Sequence, residues 1–368
     1  MYLENYRKIV VKIGSSLIID NKKKIRKKWL YEFAKDIKNL RKQNKNVIIV
    51  SSGAIALGCK KLNIEKKKLK IDQSQAIASV GQIELMNLFI DVFASQKINI
   101  SQILLTLEDT EKRRRAINAK RTIENLFNLN FVPIVNENDT IATSEIKYGD
   151  NDRLASRVAQ ISNADCLILL SDVDGLYTKN PKIHKDAVLI KKVEKIDQNI
   201  IKLASGKTSE YGSGGMRTKI DAAKICEISG CKMAIANGLK DRPLINIFDR
   251  QICTWFVPKI SKLDARKKWI ASTLNTKGCL KIDEGAQIAL QKGKSLLAAG
   301  VKSIEGSFNK GDQIKIVGKN NQELAIGLSS FSSEEIDKIK GYKSNKIEGL
   351  LGYKTKSEVI HKDDMVEI

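Results

Sequence analysis

The stretch VVKIGSS, residues 10–16, places a lysine inside an apolar segment and follows it with Gly-Ser-Ser. Adjacent valines indicate a strand that is buried on both faces, as in parallel sheets. The glycine and the serines do not extend a strand well, so we expect the strand to end there. At that end, Lys12 and backbone N–H groups that are not used by the sheet come together. The stretch therefore predicts an anion-binding strand end, and the alternative is an edge strand with a solvated lysine.

Apolar segments alternate with amphipathic helical patterns as far as residue 237. The predicted strands lie at 8–13, within 46–58, at 102–106, at 131–135, at the start of 166–177 and at 232–237. Between them, helical periodicity begins at residue 26 and recurs at 73–94, 112–128, 153–163 and 218–229. This alternation predicts an α/β fold, with an open, mainly parallel sheet sandwiched by helices.

The pattern changes beyond about Lys262. Short alternating stretches and glycine-marked turns follow, with one predicted helix at 284–291. Such a pattern is typical of a small, mostly β domain. The sequence therefore predicts two domains, at 1–262 and 275–368.

Composition limits the class of protein. The net charge of +23 invites a nucleic-acid partner, but the lysines are spread along all 368 residues, which indicates biased composition instead of a basic patch. Six cysteines without a CxxC pair and only two histidines indicate free thiols and predict no dedicated metal site. Without a signal-type segment or an uncharged apolar run of membrane length, we expect a cytoplasmic protein that does not enter a membrane.

Polar or glycine-bearing segments follow four of the predicted strands, at 12–16, 51–54, 136–140 and 171–175. Ligands of open α/β sheets bind beyond the carboxyl ends of the strands. These four segments therefore predict a single site along one edge of the sheet.

The segment YGDNDRLAS, residues 148–156, is the densest polar group in the chain. Asp150, Asn151 and Asp152 precede a predicted helix, so one of them could serve as its N-cap. Two carboxylates and an amide, with NEND at 136–139 upstream, favour an acidic pocket that binds an ammonium group, orients lysines or assists a metal ion.

The segment YGSGGMRTK, residues 211–219, resembles a phosphate-binding loop at the start of a helix, although it lacks the P-loop pattern. A flexible surface loop is the alternative. Two lysines, Lys12 and Lys219, together with glycine-rich amides and carboxylates, suit phosphoryl transfer, which requires alignment and charge stabilisation. An ionised carboxylate as the acceptor would need no general base, because it has no proton to lose.

Six motifs of this chain resemble the glutamate 5-kinase family, in the same order and over essentially the full length. They are VVKIGSSLI, VSSGAIALG, VPIVNENDTIAT, EIKYGDNDRLAS, LLSDVDGLYT and GSGGMRTK. The C-terminal region resembles the PUA domain of that family. Ser15 and Ser51 stand where threonine is common, which is a small departure.

The resemblance implies ATP-dependent phosphorylation of the γ-carboxylate of L-glutamate, giving L-glutamyl 5-phosphate in the first step of proline biosynthesis. It implies that Lys12 and Lys219 stabilise the transferring phosphoryl group and that Asp152 orients both lysines. The implied glutamate-binding residues are Ser52, Gly53, Asp139, Asn151 and Asp150. The implied ATP-binding residues are Lys12, Ser171, Asp172, Ser213, Gly214, Gly215, Met216, Arg217, Thr218 and Lys219.

The resemblance also implies Mg²⁺ that bridges the phosphates without dedicated protein ligands, feedback inhibition by proline, and a homo-oligomer, dimer or tetramer, formed through the kinase domain. Three other hypotheses stay open. The chain could be a related kinase for acetylglutamate, aspartate or a nucleoside monophosphate, an RNA-binding or RNA-modifying protein, or a catalytically silent regulator.

Overall fold

The computed structural model describes residues 5–20, 22–65, 69–142, 151–181, 183–204, 215–250, 252–262, 264–265 and 276–367. The chain divides into two compact units, Met1–Ile260 and Ser261–Ile368.

The first unit is built on an eight-stranded sheet. Its strands are β1 (Lys8–Ile13), β2 (Asn46–Ser51), β3 (Ile100–Leu105), β4 (Val132–Glu137), β5 (Cys166–Ser171), β6 (Lys192–Val193), β7 (Lys232–Asn237) and β8 (Thr254–Phe256). Their order is β3-β4-β2-β1-β5-β7-β8-β6, and of the neighbouring pairs only β7 with β8 is antiparallel. Lys12 in β1 lies between Val50 of β2 and Leu169 of β5, so the alternative of an edge strand is wrong.

Helices cover both faces of this sheet. They are α1 (Ser15–Ile18), α2 (Lys27–Lys42), α3 (Ala54–Leu62), α4 (Ile71–Ala94), α5 (Leu107–Glu111), α6 (Arg113–Asn128), α7 (Asp152–Ile161), α8 (Gln198–Leu203), α9 (Met216–Ser229) and α10 (Pro243–Ile245), followed by a π-helical turn at Asn246–Arg250. In the central strands successive side chains enter opposite cores: Val11 packs with α2 and α4, whereas Val10 packs with α6, α7 and α9. This three-layer arrangement confirms the predicted α/β class.

The helix α4 is long and apolar enough to cross a membrane by length and composition alone. Its inner face is nevertheless buried, with Leu85, Phe89 and Phe93 in the core beside α2 and the sheet. Apolar helices of this kind also occur as core helices of soluble proteins. The helix α4 is thus part of the core of the first unit.

The helices α3 and α4 cross in direct backbone contact. A Cβ atom on Gly81 of α4 would lie 1.8 Å from the carbonyl oxygen of Ala54 and 2.5 Å from the nitrogen of Gly58 in α3. A side chain cannot occupy that space, so only glycine permits this crossing. The crossing keeps the middle of α4 beside the beginning of α3.

The second unit has its own core around residues such as Leu280, Ile314 and Phe331. Its strands are β9 (Gly278–Ile282), β10 (Leu296–Leu297), β11 (Val301–Glu305), β12 (Gln313–Val317), β13 (Glu323–Leu328), β14 (Glu358–Ile360) and β15 (Met365–Glu367). They form a five-stranded sheet of order β11-β9-β12-β13-β15 and the pair β10-β14. Its helices are α11 (Glu284–Gln291), α12 (Ser333–Ile339) and α13 (Ile347–Leu351). A β-rich unit with a helix at 284–291 is what the sequence predicted.

Candidate active site

The carboxyl ends of the central strands meet at one edge of the sheet, where hydrogen bonds join neighbouring strand ends. Ser52 N donates to the carbonyl oxygen of Ile13 at 3.2 Å, and Gly238 N donates to the carbonyl oxygen of Ser171 at 2.7 Å. The segments that follow β1, β2 and β5 are therefore adjacent in space. The strand ends from which the sequence predicted a single site thus lie at the same edge of the sheet.

A buried ion cluster lies at this edge. The Nζ atom of Lys12 is 2.7 Å from Asp152 Oδ1, and the Nζ atom of Lys219 is 2.9 Å from Asp152 Oδ2. Thr218 Oγ1 also donates to Oδ2, at 3.1 Å. Asp152 is completely buried, and the exposed fractions of Lys12 and Lys219 are only 4% and 5%. One carboxylate thus holds two ammonium groups that are far apart in the sequence.

The fold brings these three side chains together from three elements. Lys12 is the next-to-last residue of β1, Asp152 is the first residue of α7, and Lys219 lies in the first turn of α9. The helix dipole of α7 favours a carboxylate at this position. A buried charge is tolerated when it is paired, and Asp152 is the partner that explains Lys12 within a buried strand.

Three side-chain amides form a hydrogen-bonded chain beside this cluster. Asn151 Nδ2 donates to the carbonyl oxygen of Ser51 and, at 2.7 Å, to Asn136 Oδ1. Asn136 Nδ2 donates at 2.7 Å to Gln82 Oε1 of α4. Asn151 is the N-cap of α7, but its side chain makes no capping hydrogen bond, so the capping alternative is wrong for this residue.

Two helices that begin at the site have no side-chain cap. The α3 helix starts after Gly53, whose φ of +118° favours glycine, and α9 starts after Gly215. Side chains cap α5, α8, α11 and α12, through Thr106, Asp197, Asp283 and Ser332 respectively, whereas α2, α6 and α7 also begin without a side-chain cap. The first-turn N–H groups of α3 and α9 are therefore open to anionic ligand groups, and in α9 the ammonium group of Lys219 lies in the same turn.

The remaining predicted residues take different positions. Ser171 Oγ donates to Asp172 Oδ1 at 3.2 Å at the end of β5, and Asp139 lies in the turn after β4. Met216 and Arg217 belong to the first turn of α9, with Arg217 paired to Asp221 on the exposed surface. Ser52 is partly buried, and its Oγ atom has no hydrogen-bond partner among the described residues. Three predicted residues, Asp150, Ser213 and Gly214, lie outside the described residues.

The sequence marked the segment 171–175 but did not single out the residues of a polar group at the ends of β5 and β7. Asp174 accepts from Tyr177 Oη at 3.2 Å, and Lys240 Nζ lies 3.3 Å from the same carboxylate. Burial, and then the negative charge of Asp174, raise the pKa of the Tyr177 hydroxyl. Asp174 and Tyr177 lie within the quoted LLSDVDGLYT motif, whereas no motif marked Lys240.

Gln82 was also missed. In the sequence it is a polar residue beside a glycine in an apolar helix, GQIELMNLF, and that juxtaposition is its only signal. For metal binding, the described part of the chain holds no cluster of three or more His, Cys, Asp or Glu side chains with suitable geometry.

Comparison with known families defines the class of protein. The profile of the amino acid kinase family matches residues 7–237, and that of the PUA domain matches residues 278–351. The chain belongs to the amino acid kinase family and carries a PUA domain.

Relatives narrow this assignment. Glutamate 5-kinase from Pelagibacter ubique (strain HTCC1062) is 71% identical over 368 residues, covering 100% of both chains. Glutamate 5-kinase from Rhizobium etli (strain CIAT 652) is 49% identical, covering 99% of this chain and 94% of that protein. The chain thus belongs to the glutamate 5-kinases, as its motifs indicated. Among solved structures, UMP kinase from Ureaplasma parvum aligns with 68% of this chain and 98% of its own, with a TM-score of 0.47 and 16% identity.

Proposed function

We propose that the chain transfers the γ-phosphoryl group of ATP to the γ-carboxylate of L-glutamate. The products are ADP and L-glutamyl 5-phosphate, and the reaction is the first step of proline biosynthesis. The observation that carries this proposal is the buried cluster of Lys12, Asp152 and Lys219 in a chain 71% identical to a glutamate 5-kinase.

The chemistry requires alignment and charge stabilisation. A carboxylate oxygen of glutamate forms a bond to the γ-phosphorus while the bond to the β,γ-bridging oxygen breaks, and ADP leaves. The glutamate carboxylate is ionised at neutral pH, so no side chain has to remove a proton. Lys12 stabilises the charge on the side of the attacking carboxylate, and Lys219 on the side of the nucleotide.

Asp152 orients both lysines in this mechanism. Its two oxygens hold the two ammonium groups at 2.7 and 2.9 Å, so their separation is fixed before the substrates bind. Groups held in place beforehand need no reorganisation during the reaction. The cluster has two cations and one anion, so one positive charge is not balanced within it. A negatively charged phosphoryl group would balance that charge.

The substrates are assigned to opposite sides of this cluster. On the glutamate side we assign Ser52, Gly53, Asp139 and Asn151, with Asp150 for the substrate ammonium. On the ATP side we assign Ser171, Asp172 and the segment from Ser213 to Lys219. Lys12 also contacts ATP, because it reaches the transferring phosphoryl group from the glutamate side. The buried hydroxyl of Ser52 and the uncapped turn of α9 support this division.

The proposed reaction would use Mg²⁺ held mainly by the phosphates of ATP. It keeps several waters and uses few protein ligands in such sites, so the carboxylates near the nucleotide would contribute at most one or two contacts. Its chemistry is to neutralise charge on the transferring phosphate.

The remaining assignments follow from the family. We propose a cytoplasmic homo-oligomer, dimer or tetramer, that is inhibited by proline. We further propose a catalytic domain at 1–262 and a PUA-like domain at 275–368.

A hydroxamate assay tests the function. With ATP, Mg²⁺ and glutamate, hydroxylamine traps the acyl phosphate as a coloured hydroxamate, and we expect product only when both substrates are present. Acetylglutamate, aspartate and UMP serve as competing acceptors, with ADP release as the common readout. Faster ADP release with any of these three than with glutamate would show that glutamate is not the preferred acceptor.

A further inference from the structure

The hydroxyl group of Thr218 belongs to the ion cluster. Its Oγ1 atom donates to Asp152 Oδ2 at 3.1 Å and also lies 2.9 Å from the carbonyl oxygen of Gly215. A hydroxyl has one hydrogen, and both of these atoms are acceptors within the protein. The ionised carboxylate is the stronger acceptor of the two. Whichever of them takes the hydrogen, the hydroxyl has none left to donate to a phosphate oxygen.

This contact bears on how Asp152 holds Lys219. Asp152 Oδ2 accepts from both Thr218 Oγ1 and Lys219 Nζ, at 3.1 and 2.9 Å. A carboxylate oxygen offers about two lone-pair directions, so the hydroxyl takes one and leaves the other to the ammonium group. Lys12 contacts the other oxygen, Oδ1, at 2.7 Å. The hydroxyl thus sets the direction from which Lys219 contacts the carboxylate.

The burial of the cluster makes that direction matter. Asp152 is completely buried and Lys219 is nearly so. Without the hydroxyl, the ammonium group of Lys219 can turn towards the lone pair that the hydroxyl has left. A displacement of about 1 Å in a group that stabilises the transition state can cost about 100-fold in rate. Lys219 would then no longer be fixed on the nucleotide side of the cluster.

We infer that the hydroxyl of Thr218 serves Asp152 and not the nucleotide, so that Thr218 is a positioning residue for Lys219. The inference rests on the proposed function and deepens it, because the motif resemblance places Thr218 among the ATP-binding residues without giving its hydroxyl a partner. Loss of a hydroxyl that binds ATP raises KM for ATP. Loss of a hydroxyl that positions Lys219 lowers kcat instead.

Thr218→Val tests the hydroxyl alone, because the substitution keeps the shape of the side chain and puts a methyl group where water could otherwise enter. We expect kcat for glutamate-dependent ADP release to fall about 10-fold or more, which is about 1.4 kcal/mol, with KM for ATP within about 3-fold of wild type. Thr218→Ser keeps the hydroxyl and should have a kcat within about 3-fold of wild type. Thr218→Ala also lacks the hydroxyl and should show the same separation of kcat from KM if the valine variant does not fold.

A second substitution tests whether Thr218 acts through Asp152. In an Asp152→Asn background, Thr218→Val should lower kcat by less than about 2-fold further, because the carboxylate through which the hydroxyl acts is already gone. An additional 10-fold loss in that background would show that the hydroxyl acts independently of Asp152, and would overturn the inference.

Thr110→Val is the matched control. Thr110 is buried, and its Oγ1 atom donates at 2.6 Å to the carbonyl oxygen of Leu107, three residues earlier. Thr218 has the same spacing to Gly215, but in Thr110 the single hydroxyl hydrogen is used by the backbone. This control removes a comparable helix-to-hydroxyl contact from the same unit, and it should leave kcat and KM for ATP within about 3-fold of wild type.

Three further results would overturn the inference: a raised KM for ATP with near-normal kcat in Thr218→Val, unchanged kinetics in that variant, or a Thr218→Ser variant as slow as Thr218→Val. Absence of glutamate-dependent ADP release in the wild-type protein instead refutes the proposed function itself, so the two failures are distinguishable.

Discussion

Replacing Asp152 by asparagine tests whether one carboxylate holds both lysines. The substitution preserves the shape of the side chain and removes its charge. One of its two terminal atoms becomes an NH₂ group, which faces either Lys12 or Lys219 at a position where an oxygen now accepts at 2.7 or 2.9 Å. A donor then meets a donor, and two buried ammonium groups lose their shared counter-charge.

The structure sets the size of the effect. Removing one partner of a buried ion pair costs about 3–5 kcal/mol of unfolding free energy. Repulsion between the two ammonium groups is part of that cost, at about 2–3 kcal/mol for a separation of about 5–8 Å and an effective dielectric constant of about 20. Because both lysines move from their positions, we expect kcat to fall about 1,000-fold, which corresponds to about 4 kcal/mol of lost transition-state stabilisation.

Two measurements separate folding from catalysis. Urea unfolding gives the stability of Asp152→Asn, and the hydroxamate assay gives kcat under conditions in which the variant is folded. Adding Lys12→Met to Asp152→Asn removes one of the unpaired cations, so the double variant should be more stable than Asp152→Asn alone and equally inactive. A kcat within 10-fold of wild type, or an unchanged unfolding free energy, would refute the role of Asp152.

Three further predictions follow from the same contacts. Lys12→Ala should fold, because Asp152 retains Lys219 as a partner, and should lose most of its turnover; near-normal kcat would remove Lys12 from the mechanism. Gly81→Ala should give little folded protein, since its Cβ would lie 1.8 Å from the Ala54 oxygen, and a thermal unfolding midpoint equal to wild type would contradict that crossing. Burial raises the pKa of the Cys253 thiol to about 11, above its unfolded value of about 8.5. The unfolded thiol therefore ionises first, and stability falls between about pH 8.5 and 11, by up to about 1.4 kcal/mol per pH unit. Urea unfolding at pH 8 and pH 10 should show a smaller loss in Cys253→Ala than in wild type, and equal losses would contradict this burial effect.

The fold was largely predictable because its signals are local. Strand and helix positions follow from apolar periodicity, and the observed boundaries differ from the predicted ones by a few residues, as for α4 at Ile71–Ala94 against 73–94. Short elements such as α5 and β6 were missed, because five residues and two residues carry too little periodic pattern. Cys166 lies in the apolar run CLILL and is completely buried, as expected of a residue within a central strand.

The site was predictable where the sequence marks it with unusual residues. Lys12 in an apolar strand and Lys219 at a glycine-rich helix start are visible without a structure, since a charge or a glycine there needs a reason. Gln82 gave no comparable signal. Its hydrogen bond with Asn136 joins residues that are 54 positions apart in the chain.

The sequence by itself determined the alternation of buried strands and polar strand ends, because periodicity and strand-end composition are properties of neighbouring residues. It thereby predicted the edge of the sheet where the proposed site lies. The family resemblance implied that Asp152 orients Lys12 and Lys219, but only the tertiary structure shows the two contacts and the glutamine of α4 that ends the amide chain. Those arrangements depend on the packing of α7 against α9 and on the crossing of α3 with α4. Distances of 2.7–2.9 Å between residues remote in sequence arise only when the helices are packed on the sheet.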